Sequence, residues 1–281
     1  MKGKLFVCGT PIGNLEDVTI RLLKILRKAD LIACEDTRRT IKLLNHYKIK
    51  NKLVSYHEFS RPGKTAFLIS QLAHGLNVAL VSDAGMPTIS DPGQELVRQA
   101  IDEGFEVDVI PGPSACTAAL AIAGVDSSSF IFSGFLPPKP VKRREVLRSF
   151  VRESRTIVLY EAPHRLVATL ADIATVLGEE RPVVVARELT KVHQEVQRGK
   201  VKEVLCYYQQ QQPRGEICLL LPAPEDKTQD IDMDLIIRET RELIHDGMEK
   251  KQAFKLKARQ YNIPKSTIYE CFIKSDKDDD R

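Results

Sequence analysis

The feature that most constrains this chain is an alternation that runs from its first residues to about residue 222. Short apolar runs, rich in β-branched or aromatic residues, are separated by amphipathic stretches. Runs of four or five such residues are strand-sized, and the helix-period stretches between them are the crossovers that parallel strands need. The pattern predicts an α/β protein with mostly parallel strands. Strand candidates are Lys4–Cys8, Leu31–Cys34, Val78–Ser82, Val107–Ile110, Phe130–Ser133, Thr156–Tyr160, Val183–Arg187 and Ile217–Leu221. Between them, Val18–Lys28 sets Val18, Leu22, Ile25 and Leu26 on one helical face. Gln94–Gly104 follows Asp91-Pro92-Gly93, in which Asp91 reads as the helix cap and Pro92 as a first-turn residue.

Two breaks divide the chain, one across Pro111–Asp126 and one at Pro222-Ala-Pro-Glu-Asp226. They predict an N-terminal α/β domain over 1–112, a second over 113–222, a linker over 223–231 and a helical module over 232–281. In that module Leu235, Ile236, Leu243 and Ile244 keep helical period. Lys250–Arg259, Tyr261–Pro264 and Lys265–Glu270 read as helix, turn and helix. Lys250, Lys251, Lys255, Lys257, Arg259 and Lys265 make its surface basic, which suits an accessory RNA contact or a dimer support. Asp276–Arg281 reads as a frayed acidic tail.

Composition excludes several classes. With 43% hydrophobic and 28% charged residues the chain is neither disordered nor fibrous. No apolar run approaches the roughly 18 residues of a membrane span, and Leu5–Cys8 is too short for a signal-peptide core. The six cysteines form no Cys-x-x-Cys pair, so neither a zinc ribbon nor a disulfide framework is expected; reduced thiols and a cytoplasmic protein are. A net charge of +4 does not by itself demand a polyanionic partner. Its distribution is more telling: Lys139–Arg155 carries seven bases (Lys139, Lys142, Arg143, Arg144, Arg148, Arg152, Arg155) against two acids. Such a run suits phosphates or a solvated helix face equally, and the neighbouring Phe135 suits base stacking or core packing.

Four loops concentrate Gly, Pro, Ser and Asp: Gly9–Asn14, Ser82–Gly93, Pro111–Ala115 and Arg214-Gly215-Glu216. Small residues at strand ends let backbone approach a ligand, although tight turns use the same residues. No Gly-x-Gly-x-x-Gly and no P-loop occur, which argues against dinucleotide binding and ATP hydrolysis. Ser114 is placed to cap a helix over Ala115–Ala123, whose free N–H groups also suit a ligand carboxylate.

Read together, Gly9-Thr-Pro-Ile-Gly-Asn-Leu-Glu-Asp17, Glu35-Asp-Thr-Arg38, Ser82-Asp-Ala-Gly-Met-Pro-Thr-Ile-Ser-Asp-Pro-Gly93, Pro111-Gly-Pro-Ser-Ala115, Gly134-Phe-Leu-Pro137, Tyr160-Glu-Ala-Pro-His-Arg165 and Ala186-Arg-Glu-Leu-Thr-Lys191 resemble the signature set of the tetrapyrrole methylase superfamily, in its RNA-directed branch. The resemblance runs in order from Gly9 to about Leu221. It implies two α/β domains with S-adenosylmethionine in the cleft between them, usually in a homodimer. It further implies 2′-O-methylation of a cytidine in the decoding region of small-subunit (16S) ribosomal RNA, as free RNA or as the 30S particle. By position, the cofactor would touch Pro11, Ile12, Ala84, Gly85, Met86, Ile89, Ser114, Ala115, Leu189 and Gly215. Met86 stands where the RNA-directed branch carries threonine, so a hydroxyl contact there is lost. A tetrapyrrole methyltransferase and a non-catalytic ribosome-associated RNA-binding protein are the rival readings.

Methyl transfer from a sulfonium to a hydroxyl needs in-line geometry and removal of the hydroxyl proton, but no metal. Candidate bases are Glu35, Asp36, His57, Glu58, Asp83, Glu161, His164 and Glu188. Glu161 and His164 are favoured because Tyr160–Arg165 follows a strand and opens a helix, which brings acid, imidazole and the Arg165 guanidinium together; Glu161 could equally orient Arg165. For the RNA, Arg38, Arg39, Lys139, Lys142, Arg143, Arg144 and Arg165 are the candidate contacts.

Overall fold

The computed structural model of the chain describes residues 2–57, 62–211, 213–224, 233–261 and 263–278. Five strands, β1 (Lys4–Cys8), β2 (Leu31–Cys34), β3 (Leu53–Ser55), β4 (Val78–Val81) and β5 (Glu106–Ile110), form one sheet in the order β3-β2-β4-β1-β5, with every pair parallel. Strands β2 and β4 are buried along their whole length, as strands covered on both faces must be. Period two divides them cleanly: Leu31 and Ala33 join Leu68, Leu72 and Leu96 on one face, while Ile32 and Cys34 join Leu22, Leu26 and Leu43 on the other. The covering helices are α1 (Ile20–Lys28), α2 (Thr37–His46), α3 (Pro62–Ala73) and α4 (Gln94–Asp102). Helix α1 starts two residues later than its apolar stripe, because Thr19 Oγ1 accepts from Leu22 N at 3.1 Å and caps it.

Helix α5 (Ala115–Ala123) leaves this sheet and packs on a second one, through Cys116, Ala119 and Leu120. That sheet is built from β6 (Phe130–Phe135), β7 (Thr156–Glu161), β8 (Pro182–Arg187), β9 (Glu195–Lys200) and β10 (Ile217–Leu221), in the order β6-β7-β10-β8-β9. Its other face is covered by α6 (Pro140–Ser149), α7 (Leu166–Leu177) and α8 (Val201–Gln210). Mostly parallel pairing holds for the described strands taken together but not within this sheet: here only β6 and β7 run parallel, and β7/β10, β10/β8 and β8/β9 are antiparallel. A buried run such as Val183–Ala186 reads the same in either direction, so the apolar pattern alone carries no sign of the reversal. Ile12, from the loop after β1, packs into the second sheet's core beside Leu189 and Cys218 and ties the two sheets together.

The chain divides into two compact units, Met1–Pro224 and Glu225–Arg281. The second holds α9 (Met233–His245), α10 (Lys250–Tyr261) and α11 (Lys265–Asp278) around Ile236, Ile237, Phe254, Ile268 and Phe272. Its basic surface loses one member: Lys257 is buried, and its Nζ donates to Glu239 Oε2 at 2.7 Å and Gln260 Oε1 at 3.0 Å. The tail expected to fray from Asp276 stays helical to Asp278, and residues 279–281, like linker residues 225–232, lie outside the described residues. Among the described residues no helix is long and apolar enough to cross a membrane, and all six thiols are free.

Candidate functional site

The two sheets meet over a cavity of about 440 Å³, within the range of small-molecule sites. Parallel topology brings the loops after β1, β4 and β5 to one end of the first sheet, and backbone contacts lock them to one another. Thr10 N donates to Gly85 O (2.9 Å), Gly85 N donates to Thr10 O (3.1 Å), and Thr10 Oγ1 donates to Ser82 O (3.2 Å). Gly9 lies so close to Gly112 and Met86 that a Cβ would come within 2.8 Å of Gly112 Cα and 2.6 Å of Met86 Sδ. Glycine is required there by close approach of backbone. The Met86 thioether packs against Gly9, and Met86 offers the cavity no hydroxyl.

The second sheet supplies the facing wall from Phe135, Tyr160–Pro163, Ala186, Leu189 and Gly215–Cys218. The Arg214-Gly215-Glu216 loop does not follow a strand, as its residue types suggest; it precedes β10. It reaches the cavity because β10 is antiparallel to its neighbours, so that Ile217 lies opposite both Glu161 at the end of β7 and Arg187 at the end of β8. Gly215, at φ +85°, faces the Glu188 carboxylate so closely that a Cβ would overlap it.

Ile12, Ala84, Gly85, Met86, Ile89, Ser114, Ala115, Leu189 and Gly215 all line this cavity. Pro11 is buried behind the wall instead. Ser114 occupies the N-cap position of α5 without making a side-chain cap bond, which leaves the first N–H groups of that helix directed at the cavity end where Ser114 and Ala115 sit. Apolar wall, uncapped helix start and close backbone are features a nucleoside-like ligand bearing a carboxylate requires, so the residues fit S-adenosylmethionine.

The expected catalytic pair is divided. Glu161 reaches the wall at 3% exposure, but its carboxylate is engaged: Thr169 Oγ1 donates to Oε2 (2.5 Å), Ala162 N donates to Oε1 (2.8 Å), and Arg165 Nε lies 3.1 Å from Oε1, too poorly aligned for a hydrogen bond. Arg165 Nη2 donates to Leu136 O at 2.6 Å, so this guanidinium fastens the chain just beyond β6. His164 is exposed and off the cavity wall. Glu188 is held by Lys191 Nζ at 2.7 Å. Asp36, bound by Arg38, is held down to about 2, and that pairing also occupies Arg38. Glu58 lies outside the described residues.

The acidic part of the wall is on the first-sheet side, where Glu35, Asp83 and Asp91 are joined by Glu216 from across the cleft. Arg39 lies among them, with Nε 3.4 Å from Asp83 Oδ2 and Nη1 3.9 Å from Glu216 Oε1. Burial and the charge of Asp83 push the Glu35 carboxyl up. Asp91 is pushed up to about 7, first by burial and then by the charge of Glu35, against a lowering hydrogen bond with Ser82. Asp91 is not the helix cap its Asp-Pro-Gly context suggests. Helix α4 is capped at Gly93, at φ +132°, and two non-glycine residues in the left-handed region, Thr88 and Ser90, turn the loop so that Asp91 enters the wall. Among the described residues no three His, Cys, Asp or Glu side chains are grouped to hold a metal ion.

Among the candidate RNA contacts, Lys139, Lys142 and Arg144 are exposed on or beside α6, with Arg148 and Arg152. Arg143 is buried at 4% exposure, with Nε and Nη2 each 2.6 Å from Asp172 Oδ2, which removes it from the surface. The opposite oxygen of Asp172 accepts from Arg144 Nε at 2.6 Å. Phe135 is 54% exposed at the cavity mouth and stands edge-on to Tyr160.

A family profile described as Tetrapyrrole (Corrin/Porphyrin) Methylases matches residues 4–205. A protein of Synechocystis sp. named Ribosomal RNA small subunit methyltransferase I is 44% identical over 278 residues, covering 98% of this chain and 99% of its own. A protein of the same name from Thermotoga maritima is 52% identical over 223 residues, covering 79% of this chain and 100% of its own. The crystal structure of uroporphyrin-III-C-methyltransferase from Thermus thermophilus superposes with a TM-score of 0.56 at 20% identity, over 78% of this chain and 94% of that one.

Proposed function

We propose, from the premise that this chain belongs to the tetrapyrrole (corrin/porphyrin) methylases and among them to the group of ribosomal RNA small subunit methyltransferase I, that it methylates the 2′-hydroxyl of a cytidine in the decoding region of small-subunit ribosomal RNA. The donor is S-adenosylmethionine, whose sulfonium supplies an electrophilic methyl group. The observation that carries this reading is the match along nearly the whole chain to relatives of that name, since the fold alone is shared with enzymes that act on macrocycles.

The chain's residues divide the work. Ile12, Ala84, Met86, Ala186 and Leu189 offer apolar contact to the adenosine part of the donor, and the uncapped start of α5 at Ser114 and Ala115 suits its carboxylate. Glu161 acts as a positioning residue: through Thr169 and Arg165 it fixes the ends of β6 and β7, and with them Phe135 and Tyr160 at the mouth. Phe135 stacks on the target base, while Lys139, Lys142, Arg148 and Arg152 hold flanking phosphates. Positioning the ribose oxygen in line with the methyl group supplies a large part of the acceleration. The same reading includes a homodimer in the cytoplasm, which sedimentation of the purified protein tests in part.

Calorimetric titration with S-adenosylmethionine, followed by incubation with small-subunit particles and primer extension at low nucleotide concentration, tests the proposal. Binding and a new stall at a cytidine are expected. Binding with no stall would redirect the search to other acceptors, and no binding would favour the non-catalytic rival.

A further inference from the structure

We infer that Asp91 is the base that takes the proton from the acceptor hydroxyl. This rests on the methyltransferase reading and names the group that reading leaves open. The argument is one of position and of partners. A base must stand on the wall of the cavity, and His164, Glu188 and Asp36 do not. It must also have an oxygen to spare. Glu161 has neither oxygen free, with Thr169 and Ala162 N bonded to it and Arg165 against it. Asp83 accepts from Asp36 N at 2.9 Å and faces Arg39. Glu216 lies between Arg39 and Lys191. Two wall carboxylates remain without an ion pair among the described residues, Glu35 and Asp91, and they stand on the same side of the cleft.

The groups that face Asp91 come from four segments. Glu35 follows β2, Ser82 and Asp83 share its own loop after β4, Arg39 lies on α2, and Glu216 precedes β10. Three of the four ionisable neighbours are acids, so protonation of Asp91 relieves repulsion. Burial and these charges bring the Asp91 carboxyl to about 7, where a base is neither permanently protonated nor too weak to draw a proton from a hydroxyl. The strained loop serves the same end. Thr88 and Ser90 adopt left-handed backbone that only glycine takes freely, and the outcome is that an aspartate next to a proline leaves the helix-cap position and faces the cavity. In the step itself the hydroxyl proton moves to an Asp91 oxygen. The oxygen's electron pair forms the new O–C bond, the C–S bond breaks with its pair on sulfur, and Asp91 then returns the proton to water.

Single-turnover methylation of small-subunit particles is measured from pH 5 to 9 with the wild-type protein, Asp91→Asn, Asp91→Glu and Glu35→Gln, and cofactor affinity is measured for each by calorimetry. The wild-type rate is expected to rise with pH through a midpoint near 7. Asp91→Asn is expected to slow the step by about 10²–10⁴-fold and flatten the profile with cofactor affinity within about threefold, and Asp91→Glu to recover part of the rate. Glu35→Gln is expected to move the midpoint down, because it removes the charge that raises Asp91. An Asp91→Asn variant that binds the cofactor and keeps the wild-type rate and midpoint overturns the inference. A readout independent of the acceptor is the ¹³C carboxyl resonance lost in Asp91→Asn. A midpoint near 7 supports the assignment even if no particle is marked, which would count against the substrate alone, and a midpoint below 5 overturns it.

Discussion

The two walls of the cleft treat charge in opposite ways. On the second-sheet side both wall carboxylates lie beside cations, Glu161 beside Arg165 and Glu216 beside Lys191 and Arg39, and behind the wall Glu188 is paired with Lys191, Glu195 with Arg187 and Asp172 with Arg143 and Arg144. On the first-sheet side Glu35 and Asp91 face the same cavity without such partners, and burial pushes both carboxyls up. Paired charges hold a wall in shape and give up their reactivity in doing so; unpaired ones destabilise the wall and keep it.

The contrast is broken most severely by removing a partner from the paired side. Arg143→Ala leaves Asp172 buried beside Arg144 alone and is expected to destabilise the chain by about 3–5 kcal/mol in denaturant unfolding, whereas replacing Arg143 by Met together with Asp172 by Leu restores most of the loss. Gly215→Ala tests the seam between the walls. It places a methyl group against the Glu188 carboxylate at a backbone angle of +85°, with an expected loss of about 1–2 kcal/mol in stability and roughly tenfold in cofactor affinity by calorimetry.

On the unpaired side the sign reverses. With the Asp91 carboxyl at about 7 in the fold and at its ordinary 3.8 when unfolded, the folded protein holds the extra proton between those values, so stability falls as pH rises from one to the other. Asp91→Asn removes this dependence. Its melting temperature is expected to match wild type at pH 3.5, rise above it by a few degrees by pH 7 and keep that lead at pH 8. The smallest effect lies on the outer face. Lys142→Ala or Arg148→Ala is expected to lower the slope of log affinity for RNA against log salt by about 1 each, and Arg155→Ala by less, since Glu153 already engages that guanidinium at 2.7 Å.

Eight of the ten strands among the described residues were legible in the sequence: β2, β4, β8 and β10 as continuous apolar runs that burial on both faces writes, and edge strands such as β5 and β6 by their β-branched or aromatic residues. The sequence hid β3, which is three residues long, and β9, whose Glu-Val-Gln-Arg-Gly-Lys reads as a loop because it forms a sheet edge. Loop composition pointed to the cleft for a sound reason, as Gly9 and Gly85 show, and nine of the ten residues drawn from the motifs line one cavity. What stayed illegible was partnership. Nothing in Lys139–Arg155 distinguishes Arg143, which turns inward to an aspartate 29 positions away, from Arg144 beside it. Nothing in Ser-Asp-Pro-Gly announces that left-handed backbone at Thr88 and Ser90 carries Asp91 off the helix. Both depend on contacts between segments, which local pattern does not encode.

The antiparallel placement of β10 has a consequence for how the molecule is made. This strand lies between β7 and β8, yet among the described strands it is the last to leave the ribosome. Until Ile217–Leu221 emerges, the facing edges of β7 and β8 have no partner, and the second sheet is two separate apolar ribbons exposed to whatever else is being synthesised nearby. The first sheet can close long before, so nascent chains spend their most aggregation-prone interval with one half finished. A premature stop between Ile110 and Ile217 yields a product with every strand of the first sheet and a second sheet that lacks its central strand.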